Sequence, residues 1–126
     1  MPGKSLWGDL SDLEIVRTPK EILKEQADAL TEATEGVLVG RVGAASGTGN
    51  SFSLELSVFV PRLNNYTYTI LTADHKIDLY PVRVFPSTTQ RYVTCENEQT
   101  FIKALEEILS SKEVKRILSR LLSQVS

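Results

Sequence analysis

The chain has 126 residues and a formal net charge of −2, with 41% hydrophobic and 24% charged residues. These values are ordinary for a globular protein, so they exclude general disorder and predict one domain over residues 1–126. A single cysteine, Cys95, excludes an intrachain disulfide, and no stretch approaches the roughly 20 apolar residues of a membrane-spanning helix. Since the first residues also lack a signal-peptide pattern, we expect a soluble cytoplasmic protein.

The chain begins with an apolar lead-in and a strong helix signal. Residues 1–17 include six large apolar residues, too many for a free tail, so we expect an arm that packs on the body. Thr18, Pro19 and Glu21 then give the pattern of a helix cap, a first-turn proline and a capping-box glutamate. Apolar residues recur with helical period after this start, so a helix is predicted over about 19–35.

The middle of the chain has the two-residue periodicity of β-strands, which is clearest from Phe52 to Val60. Pro81 interrupts the fourth predicted strand, and because proline donates no backbone hydrogen bond it indicates an edge position, a bulge or a break. Short connections between consecutive strands favour an antiparallel meander of four to five strands. The predicted strands cover residues 36–42, 52–60, 66–73, 77–85 and 91–95, with a flexible loop at 43–50 and a tight connection at 74–76.

The C-terminal part is helical, with Asn97 as a candidate cap and a second capping pattern at residues 110–113. The serine pair in that pattern either kinks one long helix or separates two. The sharpest apolar stripe of the chain follows it and consists of Val114, Ile117, Leu118, Leu121 and Leu122. The predicted fold is therefore α+β: an antiparallel meander with an N-terminal helix and one or two C-terminal helices packed on one face.

No group of residues reaches the pattern of a catalytic, metal or cofactor site. Cys95 and His75 are the only cysteine–histidine pair, and their spacing gives no indication that they converge. One histidine and one cysteine cannot supply the nitrogen and sulfur ligands of a zinc site. The glycine-rich loop at 43–49 lacks a Gly-Lys-Ser/Thr ending and precedes a strand, which argues against a phosphate cradle. We therefore predict no catalytic residue, no metal and no cofactor.

Two classes of function stay open. The apolar stripe of the last helix, together with the apolar arm, exceeds what one face of a small sheet requires. This excess favours a non-enzymatic protein-interaction module, such as an adaptor, an inhibitor or immunity-type protein, or a chaperone, with a protein partner or a second copy bound to the stripe. Nucleic acid is not expected as a partner, because the basic residues of 112–120 have no aromatic companion.

The alternative is a small-ligand-binding or enzymatic domain that uses an open sheet face or a pocket between the sheet and the helices. A deep pocket would favour this alternative, whereas a broad exposed apolar patch would favour the interaction module. The candidate lining of the ligand site consists of Tyr66, Tyr68, Tyr80, Tyr92, His75 and Cys95.

Overall fold

The computed structural model describes residues 5–45 and 50–126 and confirms the α+β prediction. One helix precedes an antiparallel five-stranded sheet whose strands lie side by side in chain order, and two helices follow it. The helices are α1 (Pro19–Ala33), α2 (Glu98–Leu109) and α3 (Lys112–Val125). The strands are β1 (Val39–Ala45), β2 (Ser51–Val60), β3 (Tyr66–Lys76), β4 (Val82–Pro86) and β5 (Val93–Cys95), and a short 3-10 turn covers Pro61–Leu63.

Helix α1 begins and ends where local chemistry dictates. The Thr18 hydroxyl accepts a hydrogen bond from the Glu21 amide at 3.2 Å, and proline occupies the first helical position. The helix ends before Gly36, whose φ of +82° suits glycine and whose amide donates to the Thr31 carbonyl at 2.9 Å. The predicted helix at 19–35 is therefore confirmed, with its end two residues earlier.

A close backbone contact fixes α1 on the sheet. At Gly40 of β1, an added Cβ would lie 2.2 Å from the Ala27 carbonyl oxygen, so only glycine fits. The Thr31 hydroxyl joins the same two elements, because it accepts from the Gly40 amide at 2.8 Å and donates to the Ala27 carbonyl at 3.1 Å. Because Gly40 and Ala27 are small, the backbones of α1 and β1 approach closely at this contact.

The helices cover one face of the sheet, which we call the inner face. Along β2, Leu54, Leu56, Val58 and Val60 alternate into the core as predicted, and residues between them reach the outer face. In β3 the pairing shifts, since Leu56 lies opposite Leu71 but Ser57 lies opposite Thr69. Ile70 is therefore an extra, bulged residue, and it is buried beside Leu71. This bulge explains why the sequence of the third strand has apolar residues on both faces.

Three predictions about connections are wrong. Residues 43–45 belong to β1 instead of a loop, since they pair with β2. Of the rest of the predicted loop, Asn50 lies in a turn and residues 46–49 lie outside the described residues. The predicted connection at 74–76 is instead the end of β3, because it pairs with Ser51–Ser53. The fourth strand does not start at Ile77, because the turn runs on through Pro81 and β4 begins after it. Pro81 thus marks a break.

The C-terminal segment forms two helices, and each has its own cap. The Asn97 side chain accepts from the Thr100 amide at 2.9 Å while the Thr100 hydroxyl accepts from the Asn97 amide at 3.1 Å, a complete capping box for α2. The Ser111 hydroxyl accepts from the Val114 amide at 3.3 Å and starts α3. The predicted serine pair therefore separates two helices. No helix in the described part of the chain combines the length and apolar character needed to cross a membrane.

The described part of the N-terminal arm, residues 5–17, leaves its apolar side chains uncovered. The exposed fraction is 93% for Leu6, 81% for Trp7 and 94% for Ile15. Arg17, the last residue of the arm, forms an ion pair with Glu25 of α1. The arm was expected to pack on the body, and in this structure the body does not cover these three side chains.

Candidate functional site

The tyrosines predicted to line a ligand site do not share one surface. Tyr66 and Tyr68 pair with Val60 and Val58 and thus lie on the inner face of the sheet. Tyr92 lies on the outer face, where the Arg83 guanidinium carbon is 4.0 Å from its ring centroid. The predicted site is therefore divided between the two faces of the sheet.

Tyr80 is half-buried and packs against the core. Its ring packs edge-on against Phe101 of α2, with the two ring centroids 6.3 Å apart. Its hydroxyl oxygen is buried and makes no hydrogen bond within the described residues. Burial raises the pKa of this phenol, and the nearby Glu98 carboxylate adds to the rise.

His75 and Cys95 do not meet. The His75 ring stacks on Phe52 with centroids 5.3 Å apart, and its Nδ1 lies 2.7 Å from the Lys76 carbonyl oxygen. Cys95 is on β5, and β4 lies between it and β3, so two strand spacings, about 10 Å, separate the two backbones. Cys95 is only 1% exposed, and burial, followed by the charge of Glu96, raises the pKa of its thiol. A buried, protonated thiol without a base is not arranged for nucleophilic attack.

The apolar stripe of α3 divides between the core and the surface. Val114 and Leu121 are buried, so in this fold they are not available to a partner. Ile117 and Leu118 are half-buried, and Leu122 is 38% exposed. Most of the stripe thus packs against the body, and its accessible part is smaller than the sequence pattern indicates.

A concave surface lies between α1 and the corner formed by α2 and α3. It is a groove of about 590 Å³ with apolar walls and a charged rim. A second cavity of about 220 Å³ adjoins it, because Gln26 and Leu109 line both. We call the groove and this cavity together the helix cleft. Its apolar lining includes Ile22, Leu30, Ile102, Leu105, Leu109 and Leu118, and Leu56 and Ile70 of the sheet form its floor.

Charged side chains lie at the mouth of the helix cleft. Arg17 and Lys115 contribute positive charge, and Glu106 contributes negative charge. Ile102 of α2 is 38% exposed and contributes apolar surface to the same groove. An apolar groove with a polar rim is the usual anatomy of a protein-binding surface.

The alternative of a pocket between the sheet and the helices was predicted with another lining, and none of its six candidate residues lines the helix cleft, although α2 carries a signal for the cleft. Phe101, Ala104 and Leu105 bury the face of α2 that packs on the sheet. Ile102 and Leu109 lie on a second face of α2. They make the apolar surface of this helix wider than packing on the sheet alone requires. The cleft itself depends on the distance between helices far apart in sequence, which periodicity does not report.

Other surfaces of the described residues differ from the helix cleft. Among these residues, no group of three or more His, Cys, Asp and Glu side chains is placed to hold a metal ion. A further groove of about 500 Å³ lies beside the 3-10 turn, where Tyr66 and Leu121 are among its lining. On the outer face of the sheet, the Arg41 guanidinium carbon lies 3.6 Å from the Phe59 ring centroid, and Phe85 packs against Tyr92 with centroids 4.8 Å apart.

The helix cleft is therefore the feature with the clearest capacity to bind another molecule. It combines apolar volume, access from solvent and a charged rim. Comparison with known proteins adds no identity to this geometry: no protein-family model, no curated protein and no solved structure matches the chain.

Proposed function

We propose that the protein is a non-enzymatic protein-interaction module that binds an amphipathic segment of a protein partner in the helix cleft. The observation that supports this function is the cleft itself, about 590 Å³ of mostly apolar groove between α1 and α2. Helices bind such grooves through anchor residues spaced three, four and seven positions apart. The adjoining cavity, floored by Leu56 and Ile70, offers a deeper pocket for one anchor side chain.

The rim indicates which segments would bind best. Lys115 and Glu106 carry opposite charges and Arg17 is paired with Glu25, but α3, which borders the cleft, carries four basic residues and one acidic residue. Opposite charges across an interface raise association rates and select partners. An amphipathic helix with acidic residues beside its apolar anchors therefore fits the helix cleft better than a basic one.

The chemistry of the cleft favours binding over catalysis. Its lining contains neither the histidine nor the cysteine of the chain. The Ser110 hydroxyl donates to the Glu106 carbonyl at 2.6 Å within the end of α2.

We propose a cytoplasmic location, because the one cysteine of the chain stays free and buried. A small apolar ligand is the second candidate, since the volume of the groove lies in the range of small-molecule sites.

The proposed function is tested by selecting peptides from a displayed helical library on the wild-type protein and measuring their affinity for two variants. Ile102→Glu places a charge in the cleft, and Ile77→Glu makes the same change in the β3–β4 turn, outside it. Circular dichroism and urea unfolding establish that both variants are folded. We expect Ile102→Glu to weaken selected peptides at least about tenfold, and Ile77→Glu to change affinity less than about twofold.

Two results would contradict the proposal. If the selected peptides bind Ile102→Glu as tightly as the wild type, the helix cleft is not the binding surface. If no peptide binds but small apolar compounds do, and Ile102→Glu abolishes their binding, the small-ligand function replaces the protein-interaction function.

A further inference from the structure

The N-terminal arm has exposed apolar side chains of the kind that fit the apolar helix cleft. Residues 5–16 expose a run of large apolar side chains, including Leu6, Trp7 and Ile15, each more than four-fifths exposed. Contiguous exposed apolar surface of this kind marks an interaction site. The same chain thus presents an uncovered apolar segment and an uncovered apolar groove.

The spacing of the arm residues matches the spacing of helical anchors. Leu6, Leu10 and Leu13 are four and three positions apart, which is the pattern of an amphipathic segment that enters a groove. One turn is already formed: the Asp9 carboxylate accepts from the Ser11 amide at 2.9 Å, and the Leu13 amide donates to the Leu10 carbonyl at 3.4 Å. Leu10 and Leu13 therefore project from a compact turn that a groove can receive.

The charges of the arm and the cleft are complementary. Residues 5–16 contain Asp9, Asp12 and Glu14 and no basic residue. The cleft rim contains Lys115, Glu106 and the paired Arg17, and the whole of α3 carries four basic residues and one acidic residue. An acidic, apolar segment would place its carboxylates beside this basic helix when its leucines enter the cleft.

We propose that the arm of a second copy of the chain occupies the helix cleft, so that two copies exchange arms in a symmetric dimer. The inference rests on the proposed function, since it names one occupant of the same cleft. Within one chain the arm does not occupy the helix cleft, because Leu6, Trp7 and Ile15 are each more than four-fifths exposed. The arm is therefore available to a second copy, and two-fold exchange fills both clefts and closes the assembly.

The oligomeric state of four full-length proteins tests this exchange. Sedimentation velocity is measured from about 1 to about 100 μM, a range that covers weak and moderate self-association. We expect the wild type to reach twice its chain mass of 14.0 kDa. Leu10→Asp/Leu13→Asp disables the arm and Ile102→Glu disables the cleft, so each should stay monomeric, whereas Ile77→Glu should dimerise like the wild type.

Disulfide trapping then distinguishes exchange from closure on the same chain. Leu10→Cys and Ile102→Cys are made in separate chains, mixed and treated with diamide as the oxidant. We expect a disulfide between the two chains on a non-reducing gel, and little linkage in either variant alone, because the native Cys95 is buried. If Leu10→Cys/Ile102→Cys in one chain instead links internally at high dilution and no mixed product forms, the arm closes on its own cleft and the proposal is wrong.

The remaining outcomes separate this inference from the proposed function. A wild type that is monomeric throughout, with library peptides still bound at the cleft, contradicts arm exchange and leaves the interaction function in place. A dimer that persists in both the arm variant and Ile102→Glu also contradicts arm exchange and assigns the dimer contact to another surface. Peptides that bind Ile102→Glu normally contradict the proposed function itself.

Discussion

The two sides of the helical layer are built differently. On the first side, α1 touches β1 through Gly40 and the backbone of Ala27, and a threonine hydroxyl joins the two elements. On the second side, α3 contributes only Val114 and Leu121 to the core, while Leu118 lines the helix cleft. Small residues let one helix close on the sheet, whereas larger side chains on α2 and α3 leave a groove beside it. The first side is closely packed, and the second contains the groove in which we propose that a partner binds.

Truncating one leucine on each side of the helical layer should produce the largest difference in the free energy of unfolding. Leu23 on α1 is fully buried, so Leu23→Ala removes core contacts and leaves a cavity, lowering the free energy of unfolding by about 2–5 kcal/mol. Leu122→Ala on α3 makes the same change at a side chain that is 38% exposed and should lower it by less than about 1 kcal/mol. Urea unfolding followed by circular dichroism measures both. Equal losses would show that α3 is packed as tightly as α1.

The contact between α1 and β1 can be tested with one methyl group. Gly40→Ala drives a Cβ against the Ala27 backbone and should lower the free energy of unfolding by about 1–3 kcal/mol. Gly43→Ala in the same strand meets nothing within 4 Å, and the alanine should be neutral or stabilising by up to about 1 kcal/mol. A stable Gly40→Ala protein would mean that α1 does not approach β1 this closely.

The hydroxyl that joins α1 and β1 should contribute a smaller amount. Thr31→Val keeps the side-chain shape but leaves the Gly40 amide without its acceptor, which should lower the free energy of unfolding by about 1–2 kcal/mol. Thr67→Val on the exposed outer face of β3 is the matched control and should change it by less than about 0.5 kcal/mol. Equal changes in the free energy of unfolding for both variants would show that this hydrogen bond does not stabilise the contact between α1 and β1.

Alkaline pH should destabilise the fold through Cys95. Burial in the folded state raises the thiol pKa above its ordinary value of 9.0. Near and above pH 9, the unfolded chain therefore loses a proton that the folded chain keeps. The stability contributed by the buried thiol is therefore complete below about pH 8 and decreases as pH rises through 9. Urea unfolding at pH 7.5 and at pH 9.5 should show this decrease in the wild type. In Cys95→Ala the decrease should be smaller, and an equal decrease would assign the effect to other groups.

Features that depend on neighbouring residues could be predicted from the sequence. Thr18 and Glu21 mark the start of α1, and the alternation from Phe52 to Val60 marks β2, because caps and pleats are local. The bulge at Ile70 could not be predicted, since it depends on how β3 pairs with β2. This long-range pairing decides which side chains face the helices.

The candidate site was harder to predict than the fold. The four tyrosines share a residue type but not a surface. Tyr92 lies on the opposite face from Tyr66, because strand pairing decides which face each side chain reaches. The stripe of α3 was recognised, but periodicity does not separate Val114, which is in the core, from Leu118, which lines the cleft. The second apolar face of α2, at Ile102 and Leu109, indicates a further contact, but the groove between α1 and α2 depends on helix separation, which no local pattern reports.

The most direct test of the central claim is a methyl NMR titration of the full-length protein with a peptide selected from the library. The Ile102 and Leu118 methyl groups report on the helix cleft, and the Ile77 methyl group reports on the turn outside it. We predict saturable shifts of the two cleft methyl signals and an unchanged Ile77 signal. Shifts at Ile77 or on the outer sheet face, with Ile102 and Leu118 unchanged, would contradict the assignment of the helix cleft as the binding surface.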